Sequence, residues 1–321
     1  MLHRNAGQGD DFATARRNRH GKPDPWAGYR PPTLVFSPPG RILPATIAPN
    51  PRIQVSKVLR KILLSGLFLS LSLPALAAPC SDTGGQYEDW KPVMAKEARA
   101  AGVGDKGIAA LMGSSYSKAT IGADRNQKSF KYTLDKFMSV RGADTIVSQG
   151  KSKLKKNKSF YDSLEAQYGV PAGVLLAIHG METGFGGFMG DTNVVSAIAT
   201  LTYDCRRSDF FKPHLIGALM LVDRGSISSK TIGAKHGELG HTQFLPGNAL
   251  KYGVDGNGDG KVDFSNVTDA LASTANFLRQ KGWQPGKGYQ EGEPNFAVIK
   301  EWNAATVYQQ AIAIMGKRIS G

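Results

Sequence analysis

The sequence predicts a mainly α fold, a single helical domain, on three observations. Apolar residues recur at helical spacing through most of residues 86–317. Strand-like patterning is confined to a short candidate near Asn295–Ile299, and no internal repeat is present. Glycines gather between the periodic stretches, where they end helices and open loops.

Trp90, Val93, Met94 and Glu97 begin the first amphipathic helix, and Gly107–Met112 forms a short second one. A longer Lys-rich helical stretch, Phe137–Tyr168, follows, with breaks expected at Gly142 and Gly150. Its run of Lys151, Lys153, Lys155, Lys156 and Lys158 reads as a solvated helix face. Helix 171–182 leads into a Gly-rich loop, then helices at Asn193–Leu201 and Phe210–Asp223. Residues 233–248, with glycines at 233, 237, 240 and 247, are expected to be irregular. Helices resume at Thr268–Gln280 and Thr306–Lys317. The stretch after residue 77, about 240 residues, is long enough to bury one good core.

The front of the chain reads differently. Lys57, Arg60 and Lys61 precede the apolar run Ile62–Leu73, and Ala75-Leu76-Ala77 supplies a small-residue cleavage site. Residues 55–77 therefore read as a secretory signal peptide rather than a spanning helix. Residues 1–54 lack periodicity and are rich in Pro and Arg, so they read as a disordered extension or a misassigned start, with Val55 or Val58 as the true one. The first 77 residues hold 11 Lys or Arg and 3 Asp or Glu, so they account for +8 of the net +14 and leave about +6 on residues 78–321. A mildly basic exported chain suits an anionic wall polymer and gives no reason to expect nucleic acid. Pro79 before Cys80 departs from a lipobox, so no membrane anchor is expected after cleavage. The two cysteines, Cys80 and Cys205, are expected to pair in an oxidising compartment, which the loop-entropy view values at roughly 4–5 kcal/mol.

Glu182 is the candidate catalytic residue. It follows Val174 and Ile178 at four-residue spacing, on the face meant for the core, and Gly184, Gly186 and Gly187 come directly after it. Burial and the negative end of the helix dipole both oppose ionisation there, as a general acid near neutral pH requires. A plain ion pair with an Arg or Lys is the competing reading. His179, one turn earlier, would tune Glu182 or simply pack.

Asp255-Gly-Asn257-Gly-Asp259-Gly260-Lys261-Val-Asp263 has the spacing of an EF-hand-like loop. Side-chain oxygens of Asp255, Asn257 and Asp259 and the main-chain carbonyl of Lys261 suit a Ca²⁺ ion. Position 12 is Asn266 rather than a bidentate Glu, and Asp269 would supply the missing carboxylate if the loop is longer than standard. The expected ion is structural, and none is expected for catalysis.

Taken in order, these pieces resemble the B-type lytic murein transglycosylases. They are Tyr168-Gly-Val-Pro171 with Met181-Glu182-Thr-Gly-Phe-Gly186, Ala199 through Phe211, Gly240-His-Thr-Gln243-Phe244-Leu-Pro246, the Asp-rich loop, Gly282-Trp-Gln-Pro-Gly286, and Trp302-Asn303 with Tyr308. The resemblance spans about residues 160 to 310. It implies an α+β, lysozyme-like fold with a substrate cleft, a periplasmic location and peptidoglycan glycan strands as partner; the chain is expected to be a monomer. It also places the last metal ligand at Asp269, makes Glu182 the single acid and base, and sets Gln243, Phe244 and Asn303 along the sugar groove. Phe277 and Trp302 occupy groove positions where family members often carry Tyr, which implies one or two fewer hydroxyl contacts to substrate. Glu238-Leu239 stands where the family usually shows Ala-Met, and Gly247 where it shows Ser. The implied reaction cleaves the MurNAc–GlcNAc β-1,4 bond without water and leaves 1,6-anhydro-muramic acid ends. Two alternatives stand beside it: hydrolysis with Glu238 as a second carboxylate, and a non-catalytic wall-binding scaffold. Glu238 otherwise reads as a salt bridge to Lys235 or Arg206.

Overall fold

Alternation of apolar faces with capping residues sets where each helix begins. Ser117, Thr133, Asn193 and Asn266 each accept a backbone N–H from the first turn of the helix they precede. The structure is a computed structural model that describes residues 79–126 and 131–321. The extension expected at 1–54 and the signal peptide expected at 55–77 lie outside the described residues. The helices are α1 Tyr87–Ala100, α2 Asp105–Met112, α3 Lys118–Arg125, α4 Leu134–Val140, α5 Ala143–Lys156, α6 Lys158–Tyr168 and α7 Ala172–Thr183, then α8 Val194–Tyr203, α9 Ser208–Asp223, α10 Pro246–Tyr252, α11 Val267–Gln280, α12 Phe296–Trp302 and α13 Thr306–Ser320. The only sheet among the described residues is a ribbon of β1 Thr192–Asn193 antiparallel to β2 Ile232–Gly233. No helix among them is long and apolar enough to cross a membrane.

The structure departs from the sequence expectations at five places. The strand candidate near Asn295–Ile299 is helix α12, whose Val298 and Ile299 are buried in the core. Burial on one helix face overrides their β preference. The Lys-rich stretch breaks at Gly142, which takes a left-handed conformation, and at Asn157, but not at Gly150. Gly150 lies inside α5, where a Cβ would stand 2.7 Å from Ile319, so its small size serves packing rather than a turn. Helix α3 was not expected, and neither was α10, which begins on Pro246 inside the segment read as irregular. The core is also two clusters. The larger gathers α4 to α7 and α10 to α13; the smaller gathers α1, α2, α8 and α9, and Ile227 packs against both.

Helix α7 is buried on nearly every face and packs against α13 and α5. Its close approach to α13 rests on two glycines. A Cβ on Gly173 would stand 2.2 Å from the Gly316 carbonyl oxygen, and Gly316 faces the backbone of Gly173 and Val174 in turn. Glu182 lies nine residues after Gly173, and Tyr308 eight before Gly316. The two helices thus run antiparallel with the C-terminus of one beside the N-terminus of the other.

At the N-terminal edge, Cys80 and Cys205 form a disulfide with Cα atoms 4.9 Å apart. The Ser81 N–H donates to the Tyr203 carbonyl beside it, and Tyr203 sits edge-on to Tyr87. The start of the described chain is therefore stitched to the end of α8.

Candidate active site

Helix α7 ends at Thr183 because Gly184 takes φ 58°, a left-handed conformation that glycine adopts without strain. The turn leaves the Glu182 side chain at the rim of a pocket of about 220 Å³. Glu238, Gln243, Asn248 and Asn303 supply the rest of its polar lining, and Phe244, Leu245, Phe277 and Trp302 the apolar part. All six residues expected for catalysis and the sugar groove thus line one pocket, and among the described residues no Lys, Arg or His lines it. A larger surface cavity, about 900 Å³, lies elsewhere, between α2, β1 and the loop after α9, and has no carboxylate in its lining.

Glu182 accepts two hydrogen bonds on Oε1, from the Tyr308 hydroxyl at 2.6 Å and from the Trp302 indole N–H at 3.1 Å. Both donors are neutral, so the ion pair weighed from the sequence is not its setting. Burial pushes the Glu182 pKa up. The two hydrogen bonds favour the ionised form and pull against burial, the charge of Glu238 adds to the rise, and Arg141 opposes it weakly. Burial, the largest influence, wins. Tyr308 is held even more firmly neutral, first by its burial and then by Glu182 itself.

The sequence reading treated Trp302 as a lost hydroxyl. The structure shows it donating to Glu182 while its ring meets Phe244 and Phe277 edge-on, at 5.0 and 5.3 Å between centroids. Tyr308 was part of the family match but was not picked as a site residue. It lies 126 residues from Glu182, and only the α7–α13 packing brings the two together. Asn248 was also missed, because the helix that presents it was read as irregular.

The segment 233–248 builds the other side of the pocket as a tight turn. Leu239 and Phe244 exchange backbone hydrogen bonds at 2.8 and 3.0 Å, and Gln243 between them has φ 57°. Its side-chain amide donates to the Gly240 carbonyl at 2.8 Å and the Met189 carbonyl at 3.3 Å, which ties the turn to the Gly-rich loop. Glu238 does not pair with Lys235 or Arg206. Lys235 binds Asp191, Arg206 binds Asp124, and Glu238 faces His236. His179 does not reach Glu182 either. It is buried, its Nε2 lies 3.0 Å from His241 Nδ1, and burial pushes its pKa well down, so it packs as a neutral ring between α7 and His241.

In the Asp-rich loop, Asp255 accepts the backbone N–H groups of Gly258, Asp259 and Gly260. Asp269 is fully buried and accepts those of Gly256, Asn257 and Asp263. Asn266 instead caps α11, so Asp269 is the residue that reaches into the loop. Desolvation pushes the Asp269 pKa up to about 6, against the pull of its three backbone N–H donors. The all-oxygen donor set fits a hard ion. The carboxylates are turned onto backbone amides, and among the described residues no three His, Cys, Asp or Glu converge as a ready cage.

The comparisons agree with this fold. The transglycosylase SLT domain family matches residues 86–293. The membrane-bound lytic murein transglycosylase B of Escherichia coli K12 is 34% identical over 137 residues, which is 40% of this chain and 38% of that relative's length. The chain thus aligns with well under half of that protein. The structure of Pseudomonas aeruginosa SltB3 in complex with NAG-NAM-pentapeptide superposes with a TM-score of 0.68 at 27% identity, over 74% of this chain and 80% of that one. The fold is shared also with Escherichia coli Slt35 in complex with calcium, at 20% identity and a TM-score of 0.61 over 76% of this chain and 96% of that one. With the matched region enclosing Glu182, the turn around Gln243 and the Asp-rich loop, the chain belongs to the transglycosylase SLT domain family.

Proposed function

We propose that the chain is a lytic murein transglycosylase that cleaves the MurNAc–GlcNAc β-1,4 bond of peptidoglycan without water, with Glu182 as its single acid and base. One observation carries the reading: a carboxyl at a helix end, its pKa raised by burial and its oxygen held by two neutral donors, opens into a pocket lined with Gln, Asn and aromatic side chains. Protonated Glu182 gives its proton to the glycosidic oxygen as the C1–O bond breaks. The muramyl C6 hydroxyl then closes onto C1, and its proton returns to Glu182. The nucleophile belongs to the same sugar, so it is already in place. The Tyr308 hydroxyl at 2.6 Å steadies the carboxylate between the two steps. Gln243, Asn248 and Asn303 offer amides to sugar hydroxyls, and Phe244, Phe277 and Trp302 offer faces to the rings.

Asp255, Asn257, Asp259, the Lys261 carbonyl and Asp269 would hold a Ca²⁺ ion, which supplies charge compensation in the loop and no chemistry. The loop leads directly into α11, which carries Phe277 into the pocket. Residues 78–321 act as the exported, periplasmic enzyme domain, with residues 55–77 as its signal peptide.

The test is a digest of purified peptidoglycan with the wild type and Glu182→Gln, with products weighed by mass spectrometry. Muropeptides with 1,6-anhydro ends, absent with the variant, are expected. Products heavier by one water would establish hydrolysis instead, with Glu238 as the second carboxylate. Binding without products would leave a scaffold.

A further inference from the structure

Glu182 shares its pocket with a second carboxylate that the reaction above does not use. Glu238 is fixed there by several contacts. Its Oε2 accepts the His236 backbone N–H at 3.1 Å, and its Oε1 lies 3.4 Å from His236 Nδ1. The other ring nitrogen of His236 lies 3.8 Å from Asp124, which is buried and ion-paired with Arg206 and Arg207. The backbone is clamped as well. The Glu238 carbonyl accepts the Ala234 N–H at 3.0 Å, and a Cβ on Gly233 would stand 2.1 Å from that carbonyl oxygen. The His236 ring thus links Glu238 to the Asp124–Arg206–Arg207 cluster. The neighbour of Glu238 in the pocket, Glu182, sits at a helix C-terminus, where burial raises its pKa against the pull of its two hydrogen bonds.

We propose that Glu238 is a positioning residue for the acid: a fixed negative charge in the same small pocket that keeps the proton on Glu182 until the glycosidic oxygen takes it. This rests on the reading of Glu182 as the acid. Two carboxylates that share about 220 Å³ with no cationic side chain in the lining do not both ionise easily. The other groups that face Glu182 are Tyr308 from α13, Trp302 from α12 and, weakly, Arg141 at the end of α4, and all three favour its ionised form. Burial and Glu238 act against them. The position matters because it is where this chain departs from the Ala-Met of the family pattern. The extra carboxylate would extend the acid's working range to higher pH.

The experiment is the pH dependence of kcat/KM on a soluble glycan fragment for wild type, Glu238→Gln and Glu238→Asp, with the Glu182 carboxyl followed by ¹³C NMR titration in each. Loss of the charge should move the alkaline limb of Glu238→Gln to lower pH. Its rate should fall several-fold more at the alkaline end than at the acid end. Glu238→Asp keeps the charge and should restore the wild-type limb, with anhydro products throughout. The Glu182 titration midpoint should follow the limb. Identical limbs and midpoints in wild type and Glu238→Gln would overturn the proposal. So would equal shifts in Gln and Asp, which would mark a structural effect. Wild-type products carrying water, lost at every pH in Glu238→Gln, would make Glu238 a reacting group instead. If Glu182→Gln stayed active, the acid assignment would fail, and the NMR midpoints would still decide whether the two carboxylates are coupled.

Discussion

The two sides of the pocket handle carboxylates in opposite ways. On the α7–α12–α13 side, Glu182 meets an indole N–H and a phenol, in a core without an ion pair at the carboxyl. Behind Glu238 on the other side, Asp124 and Asp204 are buried too, yet each is met by guanidinium groups, Arg206 and Arg207 for the first and Arg125 for the second. Burial is common to both, so burial alone does not decide the charge. The partner does: a neutral donor stabilises the anion by one hydrogen bond, whereas a guanidinium adds a full opposite charge. One side thereby raises the pKa of its carboxyl and the other holds its carboxylates in ion pairs.

Glu182→Gln breaks the comparison most severely. Removing an acid and base should cost about 10²–10⁴-fold in rate, measured as muropeptide release. The fold should not suffer. A carboxyl whose folded pKa is raised contributes stability below its unfolded pKa and loses it as pH rises through the folded pKa. The glutamine variant should therefore melt at or above the wild type on the alkaline side, and a lower melting point there would count against the burial account. Gly173→Ala strikes the packing that sets the Glu182–Tyr308 meeting. A methyl 2.2 Å from a helix carbonyl should destabilise by about 2–3 kcal/mol in chemical denaturation.

Tyr308→Phe sharpens the comparison, since it leaves the packing and removes one neutral donor. A hydrogen bond to a charged group is worth about 1.5–3 kcal/mol, so kcat should drop roughly 10–100-fold. That bond favours the ionised acid, so its loss should move the alkaline limb to higher pH, opposite to the direction expected for Glu238→Gln. On the charged side, Asp124→Asn should cost about 1–2 kcal/mol, because its arginines remain partly exposed and find water. Calcium should have the smallest effect: a modest rise in melting temperature and no change in the pH profile. Equal melting curves in calcium and in excess chelator would remove the ion from the account.

Much of the site was legible because its signals are local. The four-residue spacing from Val174 to Glu182 and the glycines behind it announce a carboxyl at the end of a buried helix. The Asp–Asn–Asp–Gly run announces an oxygen-lined loop. The misreadings also have local causes. Val298 and Ile299 are β-branched, yet their burial in the core places them on α12. Gly150 looks like a breaker until Ile319 is seen packed on it. Pro246-Gly247 resembles loop, although proline suits the first turn of α10.

The sequence by itself therefore determined most of the helices, the disulfide partners and the carboxyl placed where ionisation is hard. Each of these depends on residues a few positions apart or on a residue type used only twice. The tertiary structure alone decided which groups touch that carboxyl. Tyr308 reaches it only because Gly173 and Gly316 let two distant helices close together, and Glu238 shares its pocket only because the 239–244 turn folds back on itself. A charge state is set by neighbours in space, and chain order does not encode those neighbours within any short window.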